Sequence, residues 1–200
     1  MQVNLQTGTG SAYLNAIRST AYGCYPVVRP IGFKVGDHST VVTTSDSVLE
    51  DMTTFISNVS HCIFKCTGDR DLIVATCLCN GELRISELLA DSPISVENDA
   101  IILHSMQEIE VSVVFLNTTG NRMLYDNSDL LEKHGLTGYV AITSRHCIIN
   151  AFTFHKIDEL GDNTEVFEVS IETIDDTNEE SVFNHAVKKT QEAIASLEIK

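Results

Sequence analysis

Apolar residues recur at helical spacing in three stretches of this chain and alternate with polar ones through much of the remainder. Across residues 9–21, Ala12, Ala16, Ile17 and Ala21 predict a short helix that is apolar on more than one side, with Ser11 as its N-terminal cap. Its alanines allow another helix to approach closely, and Gly23 and Pro26 end it. Residues 27–35 and 40–44 are alternating or β-branched and read as strands. Ser47-Val48-Leu49-Glu50 fits a capping box, and Val48, Met52, Phe55, Ile56 and Val59 then fall on one face of a second helix.

Beyond residue 62 the period shortens to that of strands, at 62–66, 71–79, 100–104, 108–116 and 138–142, punctuated by Gly, Asn and Asp. Residues 150–157 place Phe152 and Phe154 on one strand face, and residues 165–173 alternate Phe167, Val169 and Ile171 with Glu168, Ser170 and Glu172. A long helix follows from Asn178-Glu179-Glu180, its stripe made of Val182, Phe183, Ala186, Val187, Ala193, Ile194 and Leu197. That stripe is wide enough to meet two neighbours, or one neighbour and a second chain. The pattern is that of an α+β protein whose first and last helices bracket a sheet-rich middle, which suggests a discontinuous domain carrying an insert.

Composition narrows the partners. With 200 residues and 43% apolar content, the chain can fill one substantial core or two small ones. Thirteen basic against 28 acidic residues leave a net charge of -15, which repels phosphate backbones and argues against direct, sequence-specific nucleic-acid contact. The acid is concentrated from Asp158 to Glu198, as a solvated face or as a surface complementary to a basic partner. The first residues lack a basic and apolar leader, and no apolar run is long enough to span a bilayer. Six cysteines in such a chain predict reduced thiols in a cytoplasmic compartment.

Candidate chemistry is sparse. Cys62-x-x-x-Cys66 and Cys77-x-Cys79, with His61 nearby, could supply thiolates, but neither spacing is that of a short zinc knuckle, and on strands such cysteines act as small buried hydrophobes. No metal and no cofactor is expected. His104, His134, His146 and His155 sit in different segments without an evident nucleophile, and Ser144-Arg145-His146-Cys147 reads as part of a strand. Gly8-Thr9-Gly10 precedes a helix, as phosphate loops do, but without the following Gly-Lys-Ser/Thr; a turn and helix start explain it better.

The order Gly8, Gly10, Leu14-Asn15-Ala16-Ile17-Arg18, Pro26, Thr43-Thr44 and Val48-Leu49-Glu50-Asp51 resembles the signature of the RNA polymerase α subunit, in which a glycine turn opens a helix reading L-G-N-A-L-R-R and a second helix opens with G-V-x-E-D. Residues 165–173, then Asn178-Glu179-Glu180 and a long helix, are similar to that family's final strand, turn and interface helix. The middle, between Cys66 and Cys147, matches only weakly. The resemblance implies a dimerisation domain of two helices on a sheet, residues 1–26 and 150–200, with a β-rich domain inserted at 27–149.

It further implies a subunit without catalysis of its own. Such a chain dimerises, with itself or an α-like paralogue, to scaffold the large β-like and β'-like subunits of a DNA-directed RNA polymerase. The implied dimer contacts are Ala12, Ala16, Ile17, Phe183, Val187 and Ile194; the implied contacts to the large subunits are Asn15, Arg18, Ser19, Glu50, Asp51 and Ser60. Ser19 stands where the family has a second arginine, and Ser60 where it commonly has a lysine, so two basic contacts are replaced. The simpler explanation is a partner enzyme changed to match, as in a viral, organellar or reduced-genome polymerase; the place of action would then be a host cytoplasm or an organelle interior. The alternative is a free-standing α-like regulator that binds a host polymerase. Because the sequence stops just after the last helix, the family's DNA- and activator-binding C-terminal domain is expected to be absent.

Overall fold

The computed structural model describes residues 1–36, 46–67, 71–160, 163–174 and 177–196. In chain order their elements are β1 (Gln2–Gln6), α1 (Gly10–Cys24), β2 (Val27–Val35), α2 (Met52–Ser60), β3 (Phe64–Cys66), β4 (Leu72–Arg84), α3 (Ile85–Leu88), β5 (Ile94–Val96), β6 (Ile101–Thr118), β7 (Gly120–Arg122), α4 (Leu124–Lys133), β8 (Val140–Ala141), β9 (Ser144–His146), β10 (Ile149–Leu160), β11 (Thr164–Thr173) and α5 (Glu179–Ala195). The fold is α+β, with antiparallel sheets. It divides into two compact units, one of Met1–Pro26 with Cys147–Lys200 and one of Val27–His146. The chain leaves the second unit after His146, three residues before the boundary expected from sequence.

The first unit is built from both ends of the sequence. Its sheet has the order β1-β11-β10, with β11 central because its alternation gives Phe167, Val169 and Ile171 one common buried face. Helix α1 buries Leu14, Ile17 and Ala21, and α5 buries Val182, Phe183, Ala186 and Thr190. The helices pack on each other, with Tyr25 edge-on to His185 at 5.6 Å and the Thr190 hydroxyl 3.0 Å from that of Thr20. Asn178 caps α5, its side chain accepting from the N–H groups of Glu180 and Ser181.

In the second unit the main sheet runs β4-β6-β2-β8, flanked by the two-stranded ribbons β3-β5 and β7-β9. One core gathers Phe33, Phe55, Phe64 and Phe115 with Met52 and Val59 of α2 and Ile85 and Leu88 of α3. Phe33 meets Phe55 edge-on at 5.6 Å and Phe64 meets Phe115 at 4.9 Å. A smaller cluster of Ile31, Val114 and Leu116 is covered by Leu131 of α4.

Several sequence expectations change. The runs at 100–104 and 108–116 are one continuous strand, β6, interrupted in pattern only by the exposed residues Met106 to Glu108. The run at 71–79 continues to Arg84 past a register shift between Cys79 and Gly81, where the extra residues lie on β6 and Gly81 takes a φ of +98° that suits a residue without Cβ. Helix α1 passes Gly23 and ends at Cys24, because Tyr25 is extended ahead of Pro26. Ser11 lies inside that helix rather than capping it. The cap of α2 is Asp51, not Ser47, so the helix starts later than the capping box predicts. Helices α3 and α4 and strand β1, all short, are not foreseen. The strand expected at 40–44 and the stripe residue Leu197 lie outside the described residues.

Candidate functional site

The glycine turn before α1 is explained by a carboxylate from β11. The N–H groups of Gly8 and Gly10 both donate to Glu165, which also pairs with the Lys156 ammonium at 3.1 Å. These contacts, led by Lys156, hold the Glu165 carboxyl below its ordinary range. A Cβ on Gly10 would lie 2.4 Å from the Phe167 ring and 2.8 Å from Glu165 Oε2. The anion at this helix N-terminus is therefore the protein's own, and glycine is required for close approach rather than for a phosphate.

From that fixed start, α1 turns Ala12, Asn15, Ala16, Arg18 and Ser19 to solvent. The Arg18 guanidinium lies over the Phe154 ring, 5.8 Å from its centroid. Ile17 is 1% and Phe183 7% exposed, both inside the unit; Phe183 packs beside Phe152. Neither is free to meet a second chain, because each belongs to the part of its helix stripe that the unit's own core fills. Val187 is half-buried, while Ile194 is 54% exposed. Of the six expected dimer residues, Ala12, Ala16 and Ile194 are thus presented outward.

The second motif lies in the other unit and ahead of its helix. Val48 bridges Ser105 on β6, flanked by hydrogen bonds from Leu49 N–H to the His104 carbonyl (3.0 Å) and from Met106 N–H to the Ser47 carbonyl (2.8 Å). Glu50 accepts the His104 backbone N–H at 2.7 Å and meets the imidazole Nδ1 with its other oxygen. Glu82 stands 3.8 Å from Nε2. The Glu50 hydrogen bond leads the causes that raise the His104 pKa. Asp51 caps α2, accepting Thr54 N–H at 2.7 Å, and its carboxyl is held low by that bond.

Glu50 and Asp51 thus do structural work within the unit: Glu50 is largely enclosed beside His104, while Asp51 caps α2 and stays exposed. Ser60 is exposed at the end of α2. The outward residues beside this motif are apolar: Leu49 is 68% and Met106 66% exposed. The sequence reading missed them because it placed residue 49 in a helix. In the extended pairing, Leu49 follows buried Val48 and points to the opposite side.

The cysteines and His146 are occupied within the fold. Cys62 and Cys79 are buried and Cys66 and Cys77 half-buried, and desolvation pushes the Cys77 thiol up to about 11. Among the described residues, no group of three or more His, Cys, Asp or Glu side chains is arranged to hold a metal ion. His146 does meet Ser144, at 2.8 Å, but the imidazole is fully buried and its other nitrogen lies 2.8 Å from the Val27 carbonyl. Burial, the leading cause, lowers the His146 pKa. Asn127 Nδ2 donates to Ser144 Oγ (3.2 Å) and to the Ile142 carbonyl (2.6 Å), and Arg122 Nε donates to Asn127 Oδ1 (2.7 Å). The pair is one link in a structural chain of hydrogen bonds; a nucleophile and base would need access to substrate.

Among the described residues, no helix is long and apolar enough to cross a membrane. No protein-family model matches the chain, and no curated protein sequence matches it.

Proposed function

We propose that this chain is a non-catalytic assembly subunit of a multisubunit DNA-directed RNA polymerase, which dimerises and scaffolds the large subunits. The observation that supports this reading best is the unit assembled from both chain ends. There α1 and α5 pack together while α1 still turns a row of small residues, Ala12 and Ala16, to solvent. Small side chains permit close backbone approach by a second helix, and Ile194 adds apolar area on α5. The large subunits would meet Asn15, Arg18 and Ser19 on α1, and Leu49, Met106 and Ser60 in the second unit. A net charge of -15 keeps the nucleic acid on the partners' surfaces rather than this one.

The test is reconstitution with the large polymerase subunits encoded in the same genome. The expected outcome is a dimer of this chain that recruits them stoichiometrically. Leu49→Lys should leave the dimer intact and weaken recruitment, because it places a charge in an apolar contact. A chain that stays monomeric by sedimentation, alone and in the presence of those subunits, would overturn the reading. Purification with a complete polymerase that already holds its own α dimer would replace it with a regulator.

A further inference from the structure

The pairing of β4 with β6 fixes which way each β4 backbone group points. Asn117 N–H donates to the Asp71 carbonyl at 2.7 Å, so Asp71 and Asn117 form a hydrogen-bonded pair. The register runs unbroken from Leu72 opposite Leu116 to Cys79 opposite Ile109, so Ile73, Ala75 and Cys77 also bond to β6. The bond from Gly36 N–H to the Glu110 carbonyl, at 2.8 Å, agrees: the even-numbered residues of β6 turn to β2. Leu72, Val74, Thr76 and Leu78 therefore direct their N–H and C=O groups away from β6, at the end of a sheet ordered β4-β6-β2-β8. Among the described residues no strand pairs with that edge. Their side chains share one face, on which Val74 is 42% and Leu78 68% exposed.

Open edges are ordinarily guarded by charge, proline, bulges or shortness, because they template pairing with another chain. The edge strand β10 of the first unit carries Lys156 and Asp158 and two register shifts, and β8, at the far end of the β4 sheet, has only two residues. From Leu72 to Cys79, β4 has no charged residue, no proline and no register shift. We propose that this edge takes an extended segment of a large polymerase subunit as an added strand, an inference that rests on the assembly reading above. Exposed acids bound the row: Asp71 at one end, Glu82 at the other, and Glu110 opposite Leu78 on β6. The complementary strand is therefore uncharged and alternating in its middle and basic at its ends. A second copy of this chain brings the same acids and a further net charge of -15, which makes it the poorer occupant.

Hydrogen exchange at single-amide resolution, on the chain alone and on the complex reconstituted with the large subunits, tests the added strand. The Val74, Thr76 and Leu78 amides should exchange freely in the chain alone and slow by more than about tenfold in the complex, while those of Ile73, Ala75 and Cys77 are slow in both. Val74→Pro removes an N–H that the β6 ladder does not use, so the variant should fold and bind the large subunits at least about tenfold more weakly. Val74→Ala, which keeps that N–H, should weaken binding less. If Val74→Pro does not fold, Leu78→Lys, which sets a charge against the uncharged middle of the added strand, should show the same loss. Recruitment with Val74, Thr76 and Leu78 still exchanging freely, or undiminished in folded Val74→Pro, overturns the proposal and leaves the assembly reading standing. No recruitment by the unmodified chain overturns both. Slowing that appears in the chain alone as its concentration rises makes a second copy the occupant and likewise overturns the proposal.

Discussion

A single carboxylate, Glu165, decides how α1 begins. Replacing Gly10 by Ala forces a methyl group into the Phe167 ring and should cost about 1–3 kcal/mol in denaturant unfolding, the usual range for overpacking. The Glu165 carboxyl is depressed in the folded chain, so its contribution is present above the ordinary carboxylate value of 4.5 and is lost as pH falls through the folded value. Glu165→Gln should therefore lower the melting temperature at neutral pH and flatten its acid limb. Arg18 has a local role as well as a proposed external one. Arg18→Ala should cost about 0.5–1 kcal/mol of stability through loss of the Phe154 contact, as for exposed cation–π pairs, and should separately reduce large-subunit recruitment without affecting dimerisation. Recruitment equal to that of the unmodified chain would leave Arg18 with the stacking role alone.

At the scale of elements, two histidines in the second unit give opposite pH responses. His104, raised by Glu50, fastens the segment before α2 to β6; that stabilisation is complete below the ordinary histidine value of 6.5 and is lost as pH rises through the folded value. His146, lowered by burial, works in the other sense, and its contribution is complete above 6.5 and lost as pH falls. His104→Gln should therefore flatten the alkaline side of the unfolding profile and leave the acid side unchanged, as thermal melts across pH 5 to 9 will show. Asn127→Leu, which leaves the Ile142 carbonyl and the Arg122 guanidinium without this partner, should destabilise by about 1–3 kcal/mol for each group left unsatisfied. Helix α4 was not legible in the sequence for the same reason: Asn127 occupies a buried position that an apolar residue would ordinarily mark.

Across the whole molecule, exposure separates folding from association. Ala16 is outward and Ile17 is core, so Ala16→Glu should preserve the circular dichroism spectrum while shifting sedimentation from dimer to monomer. Ile17→Glu should instead unfold the chain, since an unpaired buried carboxylate costs several kcal/mol. If Ala16→Glu leaves a dimer intact, the two molecules meet elsewhere.

The sequence by itself determined the elements whose apolar period is strong and local: α1, α5 and strands β2, β10 and β11 were all readable, β2 with its limits at Val27 and Val35. It also showed that the two end helices carry more apolar surface than a lone helix can leave in water. Only the tertiary structure decided what covers each face and which polar groups are already engaged. Periodicity reports that Ile17 and Ala16 lie near an apolar stripe, but not that the sheet of the same unit claims one and leaves the other to solvent. Likewise Glu50 reads as a surface acid until β6 brings His104 to it, whereas Asp51 stays exposed and is engaged by Thr54 N–H in the first turn of its own helix. The continuity of β6 was hidden because residues 106–108 are exposed and skipped in the pairing with β4, so the apolar pattern lapses there while the strand goes on. For Ile17 and Glu50 the deciding partner comes from another element, and a local pattern holds no information about it.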